Sequence, residues 1–227
     1  MAATHAEAVR SPGRRLLTVV AFLVTLAVVW TASLILHEVG HGLAAQALGG
    51  QIAWLRVWPG VEVWPSPGQP SEGPWGSAIA RLGYTTGQDW GTDSWQDGVV
   101  GLMGSGANLL LAALALGGLW LFWPRGLSRT SYLFTWREVR GWPRLVLMAQ
   151  ALMFADLLLY CTLPEFWGLP HYLVFGGSHA EPLDSAELLG CPRWALILLA
   201  LLASALMTWG LVAYVRRGRA GDRPTEG

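Results

Sequence analysis

Lysine is absent from this sequence, and charged residues of any kind are scarce. All fifteen basic side chains are arginine, and charged residues make up 13% of the 227 positions, against about a quarter in soluble domains. The formal net charge is zero, so no overall field favours nucleic acid as a partner. Hydrophobic residues make up 53% of the chain, and the mean hydropathy is +0.40. This composition predicts a protein whose solvent is the lipid bilayer.

Cysteine is also rare, with Cys161 and Cys191 as the two examples. Their spacing fits neither a CxxC motif nor a zinc ribbon. They could form one disulfide if both face an oxidising compartment, or they could be two free buried thiols.

Long apolar runs are what the sequence has in abundance. About 20 apolar residues are needed to cross a hydrocarbon core about 30 Å thick, and four segments qualify: Leu16 to Leu36 with an apolar continuation through Leu48, Gly98 to Trp123, Leu145 to Leu163, and Trp194 to Tyr214. The first is longer than the apolar core of a signal peptide and leads to no small-residue cleavage site. We therefore predict an all-α polytopic membrane protein, a single membrane-embedded domain over 1–227 with flexible ends at 1–15 and 216–227.

The segment 49–97 between the first two spans is rich in Gly, Pro, Trp and Ser. Within it, Gln51 to Trp64 alternates and is rich in Val, Ile and Trp, which predicts one or two short strands at the membrane edge. The rest of this segment is predicted to be loop.

Arginine placement predicts how the chain is oriented in the membrane. Twelve of the fifteen arginines lie in the N-terminal segment, the 124–144 loop and the C-terminal tail. Under the positive-inside rule, both termini are then cytoplasmic and 49–97 is outside. Exclusive use of arginine is typical of a GC-rich prokaryotic genome, so we expect an integral protein of a prokaryotic cell membrane.

The motif His37-Glu38-Val39-Gly40-His41 ends the first apolar run. Two histidines four positions apart project from the same face of a helix, where both imidazoles can bind one Zn²⁺. Glu38 is then placed to act as the general base on the attacking water. HExxH is a metalloprotease signature, and ionisable groups at membrane depth are costly unless they have a function.

Catalytic zinc usually has three protein ligands, so the motif needs one more. A third histidine at the metzincin spacing is absent, because Ala44 and Ala47 lie there. Asp156, near the middle of the third apolar segment, is the predicted ligand because a carboxylate at that depth requires a partner. The alternative for Asp156 is a hydrogen bond to Gln150 or a buried water. The rival ligands are Asp184, His171 and His179, in the segment before the fourth span.

Small residues at the start of the second apolar segment allow another helix to approach closely. Gly104-Ser105-Gly106-Ala107-Asn108 places a glycine and an asparagine one turn apart. With the HExxH motif, Gly49-Gly50 and the alternating stretch that follows, this segment resembles the site-2 protease family of intramembrane zinc metalloproteases, with Ser105 where the family has proline. The stretch Ser178 to Pro192 looks more like a short, divergent branch of that family without a PDZ domain.

The resemblance implies further roles. Asn108 matches the family asparagine that helps to hold the substrate or the developing oxyanion. Asp156 corresponds in position to the aspartate that is the family's third ligand, although Leu157 follows it where the family has glycine. Family members commonly place the loop after HExxH in the cytoplasm, opposite to the orientation that the arginines predict.

The expected function is that of a zinc-dependent intramembrane endopeptidase with one Zn²⁺ per chain, acting on membrane-spanning or membrane-anchored protein substrates. A catalytically silent zinc-binding scaffold or regulatory protein is the alternative, although a scaffold has no need of Glu38. A transporter subunit with an ion relay is a third possibility, which the lack of an inverted repeat disfavours.

Overall fold

The structure, a computed structural model, describes residues 12–57, 61–66, 68, 80–85, 94–123, 141–170 and 180–220. Within these residues, four helices are long and apolar enough to cross a membrane: Val19–Ala47, Trp95–Phe122, Pro143–Trp167 and Arg193–Arg217. They match the four predicted segments, and the predicted class of an all-α polytopic membrane protein is confirmed.

In the part of the chain that the structure describes, there are six α-helices: α1 (Pro12–Ala47), α2 (Trp95–Phe122), α3 (Gly141–Ala151), α4 (Ala155–Trp167), α5 (Glu181–Leu188) and α6 (Arg193–Ala220). The third span combines α3 and α4 through a single 3₁₀ turn, Leu152–Phe154. Helix α1 begins before residue 16 and α6 continues past residue 215, so both take in residues that were expected to be flexible tails. Arginine, which is frequent at both places, is a good helix former.

A small antiparallel sheet follows α1. Its strands are β1 (Gln51–Val57), β2 (Val61–Trp64) and β3 (Ala80–Thr85), in the order β2-β1-β3. One or two strands were expected between Gln51 and Trp64, and two are present, but the expectation of loop for the rest of 49–97 is wrong for β3. Apolar and other residues do alternate in β3, but it is short and contains a glycine, and pairing with β1 stabilises it.

Exposed positions of the helices carry large apolar side chains, and buried positions carry the polar ones, as a lipid solvent requires. Large apolar side chains such as Leu114, Leu198 and Trp209 are 57–71% exposed, where lipid can cover them. Polar side chains are instead collected inside: Ser33, His37, His41, Ser105, Asn108 and Asp156 are all buried. Because polar groups at this depth are expensive, their clustering marks the interior of the bundle as the functional region. Cys161 and Cys191 are both free thiols.

Glycines on α2 bring its neighbours within backbone distance. A Cβ on Gly98 would overlap the carbonyl of Ser185, and one on Gly101 would overlap the hydroxyl of the same residue, so α5 lies directly against this face. On the opposite helix, a Cβ on Gly40 would overlap the carbonyl of Met103. The small-residue packing predicted for α2 is therefore present, and it draws both α1 and α5 onto one helix.

Capping groups fix where the site-bearing helices begin and end. Ser94 and Asp97 form a reciprocal capping box at the start of α2, with the Asp97 amide donating to Ser94 Oγ at 3.3 Å. Helix α1 ends at Ala47 and is followed by Gly49, whose φ of +90° suits glycine, and the Gly50 amide donates to the Ala45 carbonyl at 2.8 Å.

Candidate metal centre

The two histidines of the motif lie side by side on the buried face of α1. Each is 6% exposed, and their ring centroids are 4.8 Å apart. His37 lies ten residues before the end of α1, or about 15 Å along the helix axis at 1.5 Å per residue. Both histidines therefore lie within the apolar helix Val19–Ala47.

Both imidazoles are fixed by a partner on Nδ1. His37 Nδ1 lies 3.2 Å from Asp156 Oδ2, and His41 Nδ1 lies 2.7 Å from the carbonyl oxygen of Val100. Both partners accept, so each Nδ1 carries the proton and donates. Each Nε2 is then left with its lone pair, which is the form of histidine that binds a metal.

The two Nε2 atoms converge on Gly104 of α2. A Cβ built on this glycine would overlap the Nε2 atoms of both His37 and His41. Glycine here therefore leaves the space in front of both nitrogens open, and any side chain would fill it.

Glu181 brings a carboxylate to the same space. It is the first residue of α5, its side chain is 32% exposed, and its Oε1 lies 3.7 Å from His41 Nε2. In the described part of the chain, His37, His41 and Glu181 form a group whose ligand atoms all lie within 4.8 Å of one another. Donor atoms about 2 Å from a tetrahedral ion are about 3.3 Å apart, so the separations in this set must shorten by up to about 1.5 Å to hold one metal ion.

Asp156, the predicted third ligand, lies against the Nδ1 side of His37 and not among the converging ligand atoms. Its Oδ2 is 3.2 Å from His37 Nδ1 and 3.1 Å from Asn108 Nδ2, and it is not part of the converging group. The physical reason is the direction of the His37 ring, whose Nδ1 side faces α4 while its Nε2 side faces α2. The suggested bond from Asp156 to Gln150 is not made, since Gln150 Nε2 has no hydrogen-bond partner among the described residues.

The other residues singled out from the sequence divide between the site and the surface. Glu38 is half-buried, follows His37 directly in the chain, and acts electrostatically on His37 and on Tyr160 of α4. Asn108 is completely buried and its amide donates to Asp156. Asp184, the rival ligand, is exposed and pairs with Arg193 at 2.7 Å. His171 and His179 lie outside the described residues.

Sequence reasoning missed Glu181 and Tyr160. Tyr160 is 4% exposed, and its hydroxyl donates to Glu181 Oε2 at 3.0 Å. It lies four residues after Asp156, so the helical spacing already placed both on one face of α4. No comparable pattern identified Glu181, which stands between alanine and proline at the start of a short helix.

Gly104 gives a direct test of this geometry. Gly104→Ala is expected to lower zinc affinity about tenfold or more, because the new methyl group forces the two Nε2 atoms apart. Gly106→Ala is the matched control, since a Cβ there makes an ordinary contact of 3.7 Å with Met103. The measurement is zinc competition against a chelator in detergent. Equal affinities for the two variants would contradict the convergence on Gly104.

Comparison with protein-family models, curated proteins and solved structures gives no match to this chain.

Proposed function

We propose that this membrane protein is a zinc-dependent intramembrane endopeptidase that works in the manner of the site-2 protease family. The observation that carries the proposal is the convergence of His37 Nε2, His41 Nε2 and the Glu181 carboxylate inside an apolar bundle, with Glu38 directly after His37 in the chain. The resemblance of the motif and of the Gly104–Asn108 segment to that family supports the same reading.

Two imidazoles and one carboxylate are a donor set that suits catalytic zinc, with the fourth position left to water or substrate. His37, His41 and Glu181 would hold one Zn²⁺ per chain. Asp156 would then act behind the metal, by keeping His37 in the tautomer and orientation that bind it. When bound, zinc would polarise a peptide carbonyl and acidify water.

Glu38 is assigned the proton transfers. Its carboxylate follows His37 directly in the chain and acts electrostatically on the residues around the site. As general base it accepts a proton from the attacking water, and as general acid it returns a proton to the leaving amine. Asn108 donates one amide hydrogen to Asp156, and its contact with substrate or oxyanion stays a prediction.

The substrate is proposed to enter as an extended segment rather than as a helix, because peptide bonds in a helix are already hydrogen-bonded and closely surrounded. An open groove lies between α1 and the sheet, and its lining includes Val39, the residue after Glu38. It is lined by Val39, Gln46, Gln51, Ile52, Leu55, Val63 and Trp64. Strand β2 is an edge of this sheet, so a locally unfolded membrane segment can add to it as a strand.

The test is cleavage of a library of single-span peptides by the purified, zinc-loaded protein, with products mapped by mass spectrometry. Cuts within or beside the apolar segments are expected, and they should disappear on chelation and return with zinc. A zinc-loaded protein that leaves the whole library intact would favour the silent scaffold.

The proposed orientation, with both termini cytoplasmic and 49–97 outside, rests on the arginine distribution. Single cysteines replacing Ser71 or Ser131, in a protein lacking Cys161 and Cys191, report it through an impermeant thiol reagent on intact cells. Labelling at position 71 alone is expected. Labelling at position 131 alone would establish the opposite orientation, which is common in the site-2 protease family.

A further inference from the structure

Tyr160 joins two of the residues that converge at the candidate metal centre. Its ring lies edge-on to His37 with centroids 5.6 Å apart, and its hydroxyl donates to Glu181 Oε2 at 3.0 Å. The side chain is 4% exposed, so water does not compete freely for this hydrogen bond. A phenol buried at this depth needs such a partner, and the carboxylate of a prospective ligand provides it.

The two oxygens of Glu181 have different surroundings. Oε1 lies 3.7 Å from His41 Nε2, on the side where the two histidine nitrogens converge. Oε2 accepts the hydrogen bond from Tyr160. One oxygen is therefore directed to the metal position, while the other is held by α4.

We propose that Tyr160 is a positioning residue that fixes Glu181 as a zinc ligand binding through Oε1 alone. This inference rests on the proposed zinc site. A hydrogen bond on Oε2 opposes binding through both oxygens, and such outer partners set the orientation of ligands in metal sites generally. Binding through one oxygen keeps the fourth position of a tetrahedral zinc open for water.

Glu181 needs this support more than either histidine. It is carried by α5, which has eight residues, and its side chain is partly exposed, whereas the histidines project from a helix of 36 residues. A glutamate side chain loses much rotamer freedom when it is fixed. The contacts of α5 with Gly98 and Gly101 bring the backbone into place, but they leave the carboxylate free to turn.

A single face of α4 then holds two of the three ligands. Asp156 accepts from Nδ1 of His37, and Tyr160, one turn later, donates to Glu181. The third ligand, His41, is held from α2 through the Val100 carbonyl. The proposed ligands are thus carried by two helices, α1 and α5, and held in position by two others, α4 and α2.

Tyr160→Phe removes the hydroxyl and keeps the ring against His37. We expect zinc affinity to fall about 10–100-fold, the usual effect of losing an outer-shell partner. Tyr214→Phe is the matched control. It also removes a hydroxyl from a fully buried tyrosine, one that accepts from Arg144 at 3.0 Å in a separate cluster with Leu119 and Ala151. Thermal unfolding of both variants separates lost folding from lost metal binding.

Cobalt substitution gives a readout that a purely structural role would not move. The visible bands of bound Co²⁺ depend on the number and geometry of its ligands, so releasing Oε2 should change them in Tyr160→Phe and leave them unchanged in Tyr214→Phe. If folded Tyr160→Phe keeps the wild-type zinc affinity and the wild-type cobalt spectrum, the positioning role of Tyr160 is overturned while the proposed zinc site is not. A wild-type protein that binds neither metal would instead overturn the proposed zinc site.

Discussion

Replacing Glu38 with glutamine is expected to reduce peptide cleavage by about 10²–10⁴-fold, the usual contribution of a general acid–base group, while zinc content stays at the wild-type level. Glutamine has nearly the shape of glutamate but cannot accept the proton of the attacking water. The retained zinc follows because the converging donor atoms belong to His37, His41 and Glu181 and not to Glu38. Turnover is measured on any peptide that the wild type cuts, and zinc by elemental analysis of the same preparation.

Glu187→Gln is the control for this substitution. Glu187 is an exposed carboxylate of α5 that pairs with Arg193, and its loss should leave turnover unchanged. Wild-type turnover in Glu38→Gln would remove the basis of the protease proposal. Loss of zinc in that variant would instead make Glu38 part of the metal site.

The second large effect is expected at Glu181. Glu181→Gln should weaken zinc binding by more than the roughly 100-fold upper range for outer-shell partners, because it removes the anionic ligand itself. Asp184→Asn makes the same chemical change three residues later on α5. It should leave zinc affinity near the wild-type value, since Asp184 is exposed and paired with Arg193.

The zinc affinity of Asp156→Asn should lie between those of Glu181→Gln and Asp184→Asn, reduced about 10–100-fold from the wild-type value. The reason is that Asp156 contacts His37 Nδ1 rather than the converging nitrogens. The opposite ranking, in which Asp156→Asn loses the metal and Glu181→Gln keeps it, would make Asp156 the ligand that the resemblance to site-2 proteases implies.

The spans and the HExxH motif could be predicted because each depends on residues close together in the chain. Twenty apolar residues define a span wherever it packs, and two histidines four apart share a helix face in any tertiary context. The alternation over Gln51 to Trp64 gave two strands in the same way. Strand β3 was missed although it alternates too, because a six-residue stretch with a glycine is decided by its pairing with β1.

The third donor could not be predicted, because it depends on long-range packing. Glu181 reaches the histidines because Gly98 and Gly101 let α5 lie against α2, and small residues in a sequence do not show which helix will approach them. Asp156 was correctly placed at the histidines, but its role depends on which nitrogen of His37 faces α4. Burial cost identifies a carboxylate that needs a partner and does not identify the atom that it will contact.

Zinc content of the detergent-purified protein tests the central claim most directly. Elemental analysis after gel filtration should give about one zinc per wild-type chain and almost none for His37→Ala. Thermal unfolding is used to check that both proteins are folded. Wild-type protein that carries no zinc after incubation with the metal, or a His37→Ala variant that keeps the wild-type amount, would contradict the site formed by His37, His41 and Glu181.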